Sequence, residues 1–129
     1  MNIAKIKIGA QTFPMVLSMS AIEEILGLFG TMDEMSSRME SDDLLVQVRT
    51  IDSLLTILIN AGIRYCKVMG IDTPPELDFD PADVIDIRST DVVKAMKEAM
   101  IASQKTTIEA REPKGKNSKN AETLQGRSL

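Results

Sequence analysis

The feature that most constrains this chain is one long aliphatic stripe. Leu44, Val48, Ile51, Leu55, Leu58, Gly62, Tyr65 and Met69 follow one another at alternating intervals of four and three residues. That spacing puts all of them on one side of an α-helix of about seven turns. Leu45, Leu54, Ile59 and Ile63 widen the stripe, so this helix is expected to be buried on more than one side and to form the centre of the fold. Ser41-Asp42-Asp43 is a helix-start signal before it, and Gly70 is a natural stop after it.

The other elements are read as packing on this helix. Ile6 and Ile8 alternate with Lys5 and Lys7, which is the period of a half-buried strand. Gly9-Ala10-Gln11 can turn the chain. Thr12 to Leu17 then supplies a second strand with Phe13, Met15 and Leu17 on one face. Pro14 cannot donate to a ladder, so this strand is expected at an edge or bonded on one side only. Ser18 or Ser20 is a candidate N-cap for a helix whose apolar face is Ile22, Ile25, Leu26 and Phe29; Ser20 with Glu23 has capping-box spacing. Gly30 stops that helix. Thr31 and Glu34 open a short polar one with Met32, Met35 and Met39 on one face.

Residues 71–81 hold Pro74, Pro75 and Pro81 among several acids and read as a loop. Asp80 before Pro81 suggests a short helical turn, with Pro81 in the first helical position. Ser89 or Thr90 caps a last helix through about Ala110, with Val92, Val93, Met96, Ala99, Met100 and Ser103 on its face. From Glu112 the composition turns polar, and Pro-Lys-Gly-Lys-Asn-Ser-Lys-Asn has no large apolar residue to repay ordering, so a disordered tail is expected. The expected architecture is mainly α (α+β). A single domain over residues 1–110 carries an N-terminal β-hairpin on a bundle of about four helices, followed by a disordered tail over 111–129.

Composition narrows the chemistry. The 129 residues include no histidine and one cysteine, Cys66. A Ser-His-Asp triad, a Cys-His pair, an intrachain disulfide and a zinc cage are therefore excluded. Cys66 reads as a small hydrophobe on a helix. Nucleotide-binding loops and nucleophile elbows are missing as well. Asp78, Asp80, Asp83 and Asp86 are the best candidates for a hard cation, but the glycine and glutamate of an EF-hand loop are not in register, and a solvated loop is the favoured reading. Glu23-Glu24 and Asp42-Asp43 are sequence neighbours that point to different helix faces, so neither pair makes an acid–base dyad. No enzyme, metal or cofactor is expected.

The net charge of −4 divides unevenly: residues 1–110 carry −7 and the remainder +3. An acidic body argues against nucleic acid as a partner. Lys5 and Lys7 break any secretory signal, and the longest apolar segment, Leu54 to Ile59, is far short of the ~20 residues of a membrane span, so neither export nor membrane insertion is expected.

What remains is binding. The chain has nine methionines and an aromatic content of 3%. Methionine is flexible and polarizable, and suits surfaces that adapt to apolar partners. It also fills gaps in aromatic-poor cores. Phe29, Met32, Met35, Met39, Met96 and Met100 are the candidate partner-binding residues, on the short helix, on the last helix, or on both. Core packing is the favoured alternative for Met96 and Met100.

The order of these elements carries a resemblance. A strand ending Ile8-Gly9, then Gln11-Thr12-Phe13 and an apolar strand, leads into Ala21-Ile22-Glu23-Glu24-Ile25-Leu26-Gly27. A short acidic helix, a long aliphatic helix, a proline-bearing acidic loop and an amphipathic helix ending near Ser103 follow. Over about residues 3–110 this resembles the tail assembly chaperones of long-tailed (siphovirus-type) bacteriophages and prophages. The resemblance implies a protein of the host cytoplasm, absent from the mature virion. Such a protein keeps the long, apolar, helical tape measure protein soluble and helps recruit tail tube protein. It also implies a longer frameshifted product in many members, which the polar segment from Glu112 would suit, and no catalytic residues. Self-association is an additional expectation. The competing expectations are a structural virion component, such as a head–tail connector or tail completion protein, and, more remotely, a small carboxylate- or metal-dependent enzyme.

Overall fold

The computed structural model describes the backbone of residues 3–111 and the side chains of residues 3–101. Strands β1 (Ala4–Ile8) and β2 (Gln11–Met15) are followed by helices α1 (Met19–Phe29), α2 (Met32–Met39) and α3 (Leu44–Met69), a 3₁₀ turn (Pro81–Asp83) and α4 (Thr90–Arg111). The expected hairpin-on-helices architecture is present. The expected disordered tail lies outside the described residues, apart from Arg111.

β1 and β2 pair antiparallel, Ile8 opposite Gln11 and Lys5 opposite Pro14. A two-residue turn makes the Ile8–Gln11 pair hydrogen-bonded, and the bonded pairs then alternate along the ladder. Pro14 falls at a non-bonded position. The N–H it lacks would have pointed away from β1, so the ladder loses nothing. The apolar run continues past the strand, and Phe13, Pro14, Met15, Val16 and Leu17 are all buried. An alternating one-faced strand was expected here; both sides are covered because α3 crosses directly against β2. The Val16 N–H donates to the Leu58 carbonyl at 3.2 Å, fastening the end of the hairpin to the helix backbone.

The closest approach falls at Gly62. A Cβ at this position would run into the Pro14 carbonyl and stand 2.9 Å from the Met15 nitrogen. Glycine costs about 1 kcal/mol relative to alanine inside a helix. Here it lets the hairpin lie on α3 at backbone distance.

α3 is the centre of the fold. Ile51, Leu54, Leu55, Leu58, Ile59 and Ile63 are buried among the hairpin, α1, α2 and α4. Asp43 caps its start by accepting from the Leu45 N–H at 3.0 Å and the Val46 N–H at 3.4 Å. Gly70, left-handed at φ 73°, ends it. The ends of the predicted stripe are not core: Leu44 and Met69 are more than half exposed, because the helix outruns the elements packed on it. α3 is also long and apolar enough, by length and composition, to cross a membrane, with an 18-residue window of mean hydropathy 1.4. It is longer in this respect than the Leu54–Ile59 run suggested. Its middle is covered by the rest of the chain.

One open choice is decided and two local expectations change. The cap of α1 is Ser18, whose Oγ accepts from the Ala21 N–H at 3.1 Å, while Ser20 lies inside the helix with its Oγ 3.1 Å from that of Ser18. On α1 the buried face is Ala21, Ile25 and Phe29, leaving Leu26 exposed. Asp80 precedes the 3₁₀ turn without making a side-chain cap bond. The predicted cap of α2 is present, with Thr31 Oγ1 accepting from the Glu34 N–H at 2.9 Å.

The acidic loop between α3 and α4 is strapped along α3 by polar bonds. Asn60 Oδ1 accepts from the Leu77 N–H, and Asp52 Oδ1 from the Ala82 N–H, each at 3.1 Å. Phe79 meets Phe13 edge-on, ring centres 6.4 Å apart. Arg64 reaches Glu24 of α1 at 3.8 Å and Glu76 of the loop at 3.6 Å. Exposed ion pairs of this kind contribute about 0–1 kcal/mol each.

A methionine-lined groove as the candidate site

The two methionine stripes meet. α2 and α4 flank the N-terminal half of α3, and between them lies a groove of about 460 Å³. Met35 of α2, Ile51 of α3 and Met96 of α4 are buried and line its inner part. Met39 and Met100, half-buried, line it from α2 and α4 respectively. Val93 and Ile101 extend the apolar lining along α4.

Local sequence explains each wall. On α4, Val93, Met96, Met100 and Ile101 fall at helical spacings of three, four and one, which places them on adjoining rows of one side. α2 is short and polar except for its methionines, and it is held by its ends. Thr31 caps the start, and the Gln47 side-chain amide donates to the Met39 carbonyl at 3.0 Å, tying the far end to α3. Glu34 and Arg38 pair on the solvent side at 3.0 Å.

The remaining lining is polar. Glu40 and Ser36 stand on the α2 side, and Arg88 and Lys97 on the α4 side. An apolar interior with a charged rim is the usual anatomy of a protein-docking surface. The volume lies within the range of ordinary ligand pockets, about 300–1,000 Å³.

Four of the six candidate residues, Met35, Met39, Met96 and Met100, thus come together. Phe29 and Met32 do not join them. Phe29 is buried at the end of α1, with the Arg38 guanidinium 5.6 Å from its ring centre, and Met32 packs half-buried on the core. Sequence reasoning missed Ile51, which it placed in the central stripe, and Ile101. It also missed the rim charges Glu40, Arg88 and Lys97. The signal for Ile101 was available in its spacing of four residues from Lys97 and eight from Val93.

The acidic residues make no comparable site. Among the described residues no three acidic, cysteine or histidine side chains converge on a metal-sized position. Asp52, on α3, has its carboxyl pushed above the ordinary range. Burial is the main cause, the charges of Asp80 and Asp83 add to it, and the bond from the Ala82 N–H pulls the other way. Cys66 is buried.

Comparisons of the chain with protein-family models, with curated proteins and with solved structures find no match.

Proposed function

We propose that this protein is a non-catalytic phage tail assembly chaperone that holds apolar helical segments of the tape measure protein in the groove between α2 and α4. One observation carries the reading: methionines from two separate helices gather in a single groove of about 460 Å³, open to solvent and rimmed by charge. The element order that resembles the tail assembly chaperones supports it, and so does the acidic body, which keeps a protein with exposed apolar surface in solution.

In this reading an apolar helix of the partner lays a few side chains between Met39 and Met100. Burying one Leu- or Ile-sized side chain contributes about 1.5–3 kcal/mol. Two or three such anchors, set against the entropy lost on association, give weak binding, with Kd of order a millimolar or weaker per contact. Weak, reversible contact suits a chaperone that must later leave. Many copies along one long partner supply retention through avidity. Methionine tolerates the differing side chains such a partner presents. The site of action is the host cytoplasm, with tail tube protein recruited to the coated partner.

Co-expression with a tape measure protein tests this. The expected result is a soluble complex that the double variant Met39→Glu/Met100→Glu fails to form while staying folded. Mass spectrometry of purified particles supplies the second arm. Finding this chain at stoichiometric level in mature tails makes it a structural virion component and sinks the chaperone reading.

A further inference from the structure

The open edge of β1 forms a second cleft, unrelated to the methionine groove. Among the described residues β1 pairs only with β2, in a two-stranded sheet. The Ile8–Gln11 and Ile6–Phe13 pairs are the hydrogen-bonded ones, so the backbone N–H and C=O groups of Lys5 and Lys7 point away from β2. Among the described residues no other backbone group bonds to them. A cleft of about 340 Å³ runs here, lined on one side by Lys5, Ile6 and Lys7 and on the other by Ile85, Val92 and Ala95. Successive strand residues face opposite sides of a sheet. A cleft touching three in a row must therefore follow the strand's edge, with α4 and the turn before it as the second wall.

We propose that this cleft takes an extended peptide segment of a partner protein, added as a third strand to β1, with an apolar residue pointing inward and acidic residues on either side of it. The backbone of Lys5 and Lys7 supplies the pairing, as in other strand additions to a sheet edge. The inward residue meets Ile6, Ile85, Val92 and Ala95. Asp86 and Asp91 stand on that same wall and disfavour an acid there. The flanking residues lie on the opposite face, beside the exposed Lys5 and Lys7 side chains, where opposite charges pair across strands. The same lysines exclude a second copy as the occupant. Two β1 strands pairing antiparallel about Ile6 would set Lys5 directly opposite Lys7, and lysine on an edge strand is a known guard against such pairing.

The test uses the full chain and a blocked pentapeptide, Thr-Glu-Val-Glu-Thr, with amide hydrogen exchange read by NMR. The expected result is slowed exchange at Lys5 and Lys7 on adding the peptide. A peptide N-methylated on the amides that face β1 should give no slowing, and Thr-Lys-Val-Lys-Thr should bind about tenfold more weakly or worse. The Lys5→Glu/Lys7→Glu variant, changed only at exposed positions, should reverse the preference between the two charged peptides. Unchanged exchange at millimolar acidic peptide overturns the proposal, as does equal binding of the N-methylated or lysine peptide. Protection of the same amides that rises with protein concentration alone would make the occupant a second copy and overturn it equally.

Discussion

Two sides of α3 are built in opposite ways. Against the hairpin, packing is so close that position 62 has no room for a methyl group, and the Val16 N–H reaches the backbone of the helix itself. Between α2 and α4, the same helix is left with a groove of about 460 Å³. The first contact is made at backbone distance, with Phe13, Met15, Val16 and Leu58 fully packed, which leaves few alternative arrangements. The second gathers four methionines around open space, which lets them take many. One side sets the fold, and the other leaves apolar surface that can adapt. A domain of this size can keep such a groove open because the hairpin side supplies close-packed core independently of it.

The contrast can be broken most forcefully at Gly62. Replacing it with alanine adds about 1 kcal/mol of helix propensity but drives a methyl into the Pro14 carbonyl, an overpacking cost of about 3 kcal/mol or more. Gly62→Ala is therefore expected to destabilise by about 2 kcal/mol or more, read as a lower urea midpoint. A neutral or stabilising result would show that the hairpin can lift off α3.

Within the groove, the inner and outer methionines should separate. Met96 is fully buried, and Met96→Ala is expected to cost about 2–3 kcal/mol, the low end for a buried methionine, because the cavity it enlarges already meets solvent. Met35 is 1% exposed, so Met35→Glu should lower the melting temperature sharply rather than act on binding alone. Met39→Glu and Met100→Glu sit at half-buried positions and should each change stability by about 1 kcal/mol or less while removing partner binding. If all four cost the same in a thermal melt, the groove is core throughout and the contrast fails.

The smallest effect concerns the loop side of α3. The Asp52 carboxyl is raised above its ordinary value of 3.8, first by burial and then by Asp80 and Asp83. The folded state therefore binds its proton more readily than the unfolded chain does. The stability due to this group falls as pH rises through the window just above 3.8 and stays lowered at neutral pH. Asp52→Asn keeps an oxygen for the Ala82 N–H and removes the charge. It should be slightly more stable than the parent at pH 7, the difference closing as the pH falls below that window. Parallel denaturation curves at pH 3 and pH 7 check this; a variant less stable at pH 7 would mean that the charged form is what holds the loop.

The individual elements were legible from local pattern. The 3.6-residue period from Leu44, the strand alternation at Lys5–Ile8, the Thr31 cap and the stop at Gly70 each express a short-range rule, and each is found where it was read. The choice between Ser18 and Ser20 as the cap of α1 was open in the sequence, and Ser18 takes it. Errors came where a second element decided the outcome. Pro14 and Val16 are buried although alternation assigned them to the outer face, because α3 covers that face too. Periodicity gives the direction a side chain takes from its own helix, and it carries no information about what stands opposite. The sequence therefore determined that two methionine stripes exist. Only the tertiary structure decided that Met35, Met39, Met96 and Met100 share one groove while Phe29 and Met32 lie apart, because residues more than fifty positions apart meet through the packing of α2 and α4 on α3.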